Sequence, residues 1–431
     1  MYRSNWLSFE EWKDQGMPIL GTTSTEAVKL YDAALTQYVG WYDDPVMGGI
    51  AHTMAKLEQA DPNFILGKAF TLSMKLFGFS ENYFYNQDLK MEVDGLKPAI
   101  QMSQSNWLGA ASIWEEILDE YPTDLHALKM AFYMYQYNGQ RKKQFNAVER
   151  VYPFFQRNNI VNAAYTDGLY AFVLEETGNY SEAEKYAKMG LMKNGYDGWA
   201  THALAHTYLM QKRYGEGQNF MKDTCKLWTT ANLLACHNYW HFALFHLSDG
   251  KADEAVYLLD NEILPRFRST QTPISITNAS SLLYRLFLME PEKCPLSKDQ
   301  MATTFNEIYS VSKQYLNRHI LPFADIHYMM TCIGSGHTVE AADLVETFKT
   351  SPYATTHPEM LPILVDFMSS MLYYHEGNFT KATDMLLSIK NSLHLIGGSV
   401  AQQDIFNQML IASATKSSNP SHHKISQDHQ L

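Results

Sequence analysis

A chain of 431 residues, 46% hydrophobic and 13% aromatic, carries enough apolar material for a continuous core, which excludes a disordered or low-complexity protein. Only 23 glycines and 15 prolines punctuate it, too few for a turn-dense all-β fold, so long helices are expected. Against 34 Lys and Arg stand 46 Asp and Glu, a net charge of −12 with no dense basic run, and from this no nucleic-acid partner is expected.

Taken in chain order, residues 24–39 (S-T-E-A-V-K-L-Y-D-A-A-L-T-Q-Y-V) set Ala27, Leu30, Tyr31, Ala34, Leu35 and Tyr38 at helical spacing, with Ser24 or Thr25 placed to cap the helix. Asp43-Asp44-Pro45 opens a second helix from Ala51 to Ala60, which Asp61-Pro62 closes, because a residue before proline is pushed out of the α region. The same helix, turn, helix, proline pattern returns with Trp107, Ala110 and Tyr121-Pro122, and then with Gln144 and Tyr152-Pro153. Further on it reads G-N-Y-S-E-A at Gly178, R-Y-G-E-G at Arg213, G-K-A-D-E-A at Gly250, G-S-G-H-T-V-E-A at Gly334 and G-N-F-T-K-A at Gly377. Tyr180 to Tyr214 is 34 residues, as is Ala183 to Gly217, the period of a stacked helical hairpin.

Two stretches break the rhythm: 77–105, with weak periodicity, and 266–297, where R-S-T-Q-T-P-I reads as a loop before the helix N-A-S-S-L-L-Y-R-L-F-L-M. The polar residues 412–431 read as a disordered tail. The expected architecture is therefore all-α: one domain over 1–411, a degenerate tetratricopeptide-like helical-repeat solenoid forming a right-handed superhelix of antiparallel helix pairs.

Cys225, Cys236, Cys294 and Cys332 show no C-x-x-C spacing, which points to reduced thiols in a cytoplasmic protein. The opening M-Y-R-S-N-W-L-S-F-E-E-W-K-D lacks the apolar run of a secretory signal. No stretch approaches the roughly 18 apolar residues of a membrane span, so no membrane partner is expected.

The strings W-A-T-H-A-L-A-H-T-Y-L-M (199–210), C-H-N-Y-W-H-F-A-L (236–244), Y-L-L-D-N-E-I-L-P (257–265), S-S-L-L-Y-R-L (280–286) and G-G-S-V-A-Q-Q-D-I-F-N-Q (397–408) resemble the tetratricopeptide repeat protein 38 family, over nearly the whole chain. The resemblance implies an all-helical repeat array and no particular reaction. This chain departs from the family pattern in being shorter around 91–106, and in carrying Gln403 where arginine is usual, which weakens an anion-binding role there.

His202 and His206 are four residues apart, as are His237 and His241, so each pair occupies one helix face about 40° apart. If both segments are first helices of consecutive repeats, the four imidazoles share an inner surface with Tyr239, Trp240 and Asp260 nearby. They are then a candidate site for a divalent metal or an anionic ligand, or more broadly for a small polar ligand. Histidines packed on aromatic rings are the competing interpretation. Ala203 and Asn238 follow the first histidine of each pair where a metalloprotease has glutamate. His202 precedes Tyr214 by 12 residues and His237 precedes Ala252 by 15, which predicts a stagger of about one turn.

His327, two residues after Asp325, is a candidate for the same surface or a buried core histidine. Gly397-Gly398-Ser399 before a helix at Gln402 reads as a turn and N-cap, or as a phosphate cradle. No nucleophile motif and no nucleotide loop is present, so no cofactor and no catalytic residue is assigned. Two functions remain: a repeat module that binds a protein or peptide partner, or a small-molecule-binding protein or enzyme with a histidine and aromatic pocket. A closed pocket favours the second and an open groove the first.

Overall fold

A computed structural model describes residues 3–17, 21–77, 87–93, 96–157 and 160–428, with no strand among the described residues. The all-α, tetratricopeptide-like helical-repeat expectation holds. Contacts divide the chain into two compact units, Met1–Gln136 with Gln140–Phe245, and Tyr137–Gly139 with His246–Leu431.

In unit 1 the expected helices appear close to their expected bounds. Thr25–Gly40 starts at Ser24, whose hydroxyl accepts from Ala27 N, and Ile50–Ala60 ends at Asp61 in extended backbone. Of the irregular 77–105 stretch, the described part holds Gln87–Glu92 and Lys97–Ser103, and 78–86 and 94–95 lie outside the described residues. Pairs then alternate regularly: Trp107–Glu120, Leu125–Tyr137, Arg141–Arg157, Ala164–Glu176, Tyr180–Lys193, Gly198–Met210, Tyr214–Trp228 and Asn232–Ser248. The Arg141–Arg157 helix runs through Pro153, where a helix end was expected; one lost backbone donor did not end it, since Val148, Val151, Tyr152 and Phe155 keep its inner face buried.

The two helices of each pair differ in burial. The inner helices start at Ala164, Gly198 and Asn232, 34 residues apart each time. Leu125 to Gln136 and Gly198 to Tyr208 are buried without a break, and Ala164–Glu176 leaves only Ala164 and Tyr170 partly open. By contrast Tyr180–Lys193 buries only Ala183, Ala187 and Gly190, the narrow stripe of a surface helix.

Close approach of the inner helices depends on two glycines. A Cβ at Gly168 would lie 2.6 Å from Ala200 N, and one at Gly198 would lie 2.9 Å from Leu234 Cδ2. Ala164–Glu176, Gly198–Met210 and Asn232–Ser248 therefore pack more tightly than side chains of ordinary size allow.

In unit 2, Ala252–Leu258 passes through a π-helical stretch, Leu259–Ile263, into Leu264–Thr270. The loop expected after Arg266 shrinks to Gln271 and Thr272, because Thr272 forms a capping box with Ser275 and Pro273 takes the first helical position of Pro273–Leu288. Lys298–Ser312, Pro322–Gly334, Thr338–Lys349, Leu361–His375, Phe379–Ile389 and Val400–Lys416 follow. Beyond Ile411, where a disordered tail was expected, the chain is helical to Lys416 and again over His423–Asp428, and the buried His422 accounts for the order, its Nδ1 lying 2.9 Å from Ser417 Oγ.

Candidate functional site

The four paired histidines converge in unit 1. On Gly198–Met210, His202 and His206 have ring centroids 4.4 Å apart. His202 lies 4.9 Å from His237 and 5.0 Å from His241 on Asn232–Ser248, and His206 lies 4.4 Å from His241. The expected one-turn stagger is not found: with helix starts 34 residues apart, His237 is offset from His202 by a single residue, and His202 faces both His237 and His241. One ring nitrogen from each histidine lies within 4.8 Å of the other three, and His202, His206 and His241 are buried.

Their surroundings are aromatic on one side. Phe172 stacks on His202 at 5.2 Å and Trp199 meets it edge-on at 5.1 Å. Trp240 stacks on His237 at 5.1 Å and 11°. Neither nitrogen of His202 has a hydrogen-bond partner, and neither does Nε2 of His206. Burial drives the protonation equilibrium of His202 well below the ordinary range, with His206 and His237 adding to it, and holds His206 down at about 4. For these two rings burial favours the neutral imidazole.

Polar groups that sequence reasoning missed close the other side. Glu175 sits seven residues, two turns, after Gly168, and its Oε2 is 3.1 Å from Nδ1 of His206. Glu176 Oε1 is 3.7 Å from the same nitrogen and Oε2 is 3.1 Å from Arg141 Nε. Burial raises the Glu175 carboxyl to about 8, against the opposing pull of Arg141.

A second buried polar group adjoins this cluster across Trp199. Lys129 is fully buried, with Nζ donating to Tyr133 Oη at 2.9 Å and lying 4.2 Å from the Trp199 ring centroid. Burial pushes its ammonium well below the usual lysine range. Asp197 caps Gly198–Met210 by accepting from Trp199 N and Ala200 N, and burial raises its carboxyl to about 7. Asp167 accepts from Tyr152 Oη at 2.6 Å and pairs with Lys193 at 2.7 Å. The signal for Lys129 was a single cation in the apolar run L-H-A-L-K-M-A-F-Y, and for Glu175 an acid near the end of an inner helix.

The remaining candidates fall elsewhere. Tyr239 turns its hydroxyl to Thr229, 3.2 Å away, and its ring to Trp228 at 4.7 Å. Asp260 is exposed on the π-helical stretch of unit 2. His327, also in unit 2, is a core histidine, with Nδ1 2.6 Å from Phe323 O and burial lowering it to about 4. At Gly397-Gly398-Ser399 the serine caps Val400–Lys416 in a capping box with Gln402, and Gln403 Nε2 donates to the carbonyls of His394, Gly397 and Gly398. That turn is satisfied by its own chain, which is the turn-and-cap alternative.

No protein-family model matches the chain. Among solved structures it is similar to a monomeric IFIT1 mutant with Gppp-AAAA, at 11% identity over 94% of this chain and 85% of that one, TM-score 0.41. It is also similar to the human IFIT1 dimer with m7Gppp-AAAA, at 11% identity over 94% of this chain and 84% of that one, TM-score 0.40. The expectation of no nucleic-acid partner drawn from composition does not stand, since those proteins are described with Gppp-AAAA and m7Gppp-AAAA; net charge sums a whole surface and does not report a local one. A likeness at this level carries nothing about what this chain binds. Among the described residues no helix is long and apolar enough to cross a membrane.

Proposed function

We propose that this chain is a helical-repeat binding protein of the tetratricopeptide repeat protein 38 family, working in a reducing compartment such as the cytoplasm. Its function centres on a small polar or ionic ligand held by His202, His206, His237 and His241. The observation that carries this reading is the convergence of the four imidazoles, three buried and His237 half-buried, on inner helices that expose little of their length. A groove for a peptide needs an open inner face, so capture of a protein or peptide partner is the lesser reading.

A thermal-shift screen of the full chain against small polar molecules and inorganic ions, run with and without chelator, tests this. A ligand present at 100 times its Kd stabilises by about 2.7 kcal/mol, a readily measured shift. His206→Ala and His241→Ala are each expected to abolish the shift while retaining the helical circular dichroism. Ligand-induced stabilisation unchanged in both variants would refute the reading.

A further inference from the structure

We infer that the four imidazoles form a tetrahedral binding site for a late first-row divalent cation of the zinc class, with Glu175 positioning His206 as a ligand. This rests on the proposed ligand-binding role of the cluster and names the ligand's chemistry.

The spacing is the first argument. Zinc–imidazole bonds of about 2.05 Å at tetrahedral angles hold ligand nitrogens about 3.3 Å apart. His237 Nε2 and His241 Nε2, hydrogen-bonded to each other, are 3.2 Å apart, the length of one edge of that tetrahedron. One ring nitrogen from each of the four histidines lies within 4.8 Å of the others, a set that ligation would draw in towards that spacing.

Unsatisfied donors and acceptors are the second. A buried histidine used for packing ordinarily satisfies one nitrogen, as His327 does with Phe323 O. His202 satisfies neither, although it is 1% exposed, and a metal ion supplies the missing partner. His206 presents Nε2 to the cluster with no hydrogen-bond partner while its Nδ1 faces Glu175 Oε2 at 3.1 Å. This is the carboxylate–histidine–metal relay by which an outer carboxylate selects the tautomer and aims the ring.

Charge is the third argument, because it separates a cation from an anion. Four neutral ligands leave the ion's two charges uncompensated, and the carboxyl oxygens of Glu175 and Glu176 stand directly behind His206, at 3.1 and 3.7 Å from its Nδ1. An anion would meet those acceptor oxygens instead. Imidazole donors without thiolate or excess oxygen ligands suit zinc, cobalt, nickel or copper, and four-coordinate nitrogen favours zinc or its spectroscopic substitute cobalt.

The test uses the full-length chain, stripped with chelator and titrated with Co2+. Binding of one equivalent with the intense visible bands of tetrahedral cobalt, displaced by Zn2+, is the expected result. His202→Gln with His241→Gln should remove the bands, and Glu175→Gln should weaken Co2+ about 10–100-fold while leaving the chain folded. Absence of stoichiometric binding, bands that persist in the double variant, or unchanged affinity in Glu175→Gln each overturns the inference. If the double variant fails to fold, the Glu175→Gln affinity decides alone. Stabilisation by an organic ligand that depends on His206 and persists in chelator would overturn the metal assignment and leave the broader ligand-site reading standing.

Discussion

His126 shows what burial does to a single imidazole that has no ligand to meet. It lies between Phe70 at 5.1 Å and Trp114 at 5.0 Å, its Nε2 has no hydrogen-bond partner, and burial lowers it to about 3. Unfolded, the same group titrates near 6.5, so below that pH the unfolded chain binds a proton the folded chain refuses. Its contribution to stability is therefore complete above about pH 6.5 and is lost progressively as pH falls towards 3. At pH 5 the loss is about 2 kcal/mol, from roughly 1.5 pH units at 1.36 kcal/mol each. Replacing it by leucine, similar in volume and unable to titrate, is expected to cut the drop in urea stability between pH 7.5 and pH 5 by that amount. An identical drop in His126→Leu and the parent chain would show that this site does not take part in acid unfolding.

At the level of elements, the glycines of Tyr214–Trp228 carry opposite consequences two residues apart. A Cβ on Gly215 meets nothing within 4 Å, whereas one on Gly217 would lie 2.3 Å from the Phe245 ring. Gly215→Ala should stabilise by up to about 1 kcal/mol through helix propensity alone, and Gly217→Ala should cost about 1–3 kcal/mol through overpacking. Denaturant midpoints that shift in the same direction for both would contradict this packing. Gly217 stands at the small-residue position of the repeat, and that position was legible in sequence because the rule is local: a small side chain at a fixed distance from a turn.

The helix pairs and the two histidine spacings were legible for the same reason. Convergence of the pairs was legible only as a condition, that both segments be first helices of consecutive repeats; how closely Gly168 and Gly198 let three helices approach is something no periodicity records. Glu175 and Lys129 were overlooked because a charged residue on a helix is normally solvated; only the near-complete burial of the inner helices makes these two exceptional. Pro153 and the segment after Ile411 were misjudged because proline and polar composition stand for boundaries only on average.

Across the whole molecule the tryptophans are distributed unevenly. All eight, Trp6, Trp12, Trp41, Trp107, Trp114, Trp199, Trp228 and Trp240, belong to unit 1, and unit 2 has none. Intrinsic tryptophan emission is thus a probe of the unit that contains the histidine cluster, whereas far-ultraviolet circular dichroism reads the helices of both. Trp240 stacks on His237 and Trp199 stands edge-on to His202, so the probe also includes rings in direct contact with the site. For a unit of this size, about 2.7 kcal/mol of ligand stabilisation corresponds to roughly 5–10 °C in the melting midpoint. Saturating Zn2+ should therefore raise the midpoint followed by tryptophan emission by that amount, and Co2+ should in addition quench emission before any unfolding begins. Because the stabilisation acts through unit 1, the emission midpoint must move at least as far as the circular dichroism midpoint. A zinc-dependent rise confined to the circular dichroism trace, with emission unmoved, would locate the metal outside the cluster and leave the four imidazoles as packing.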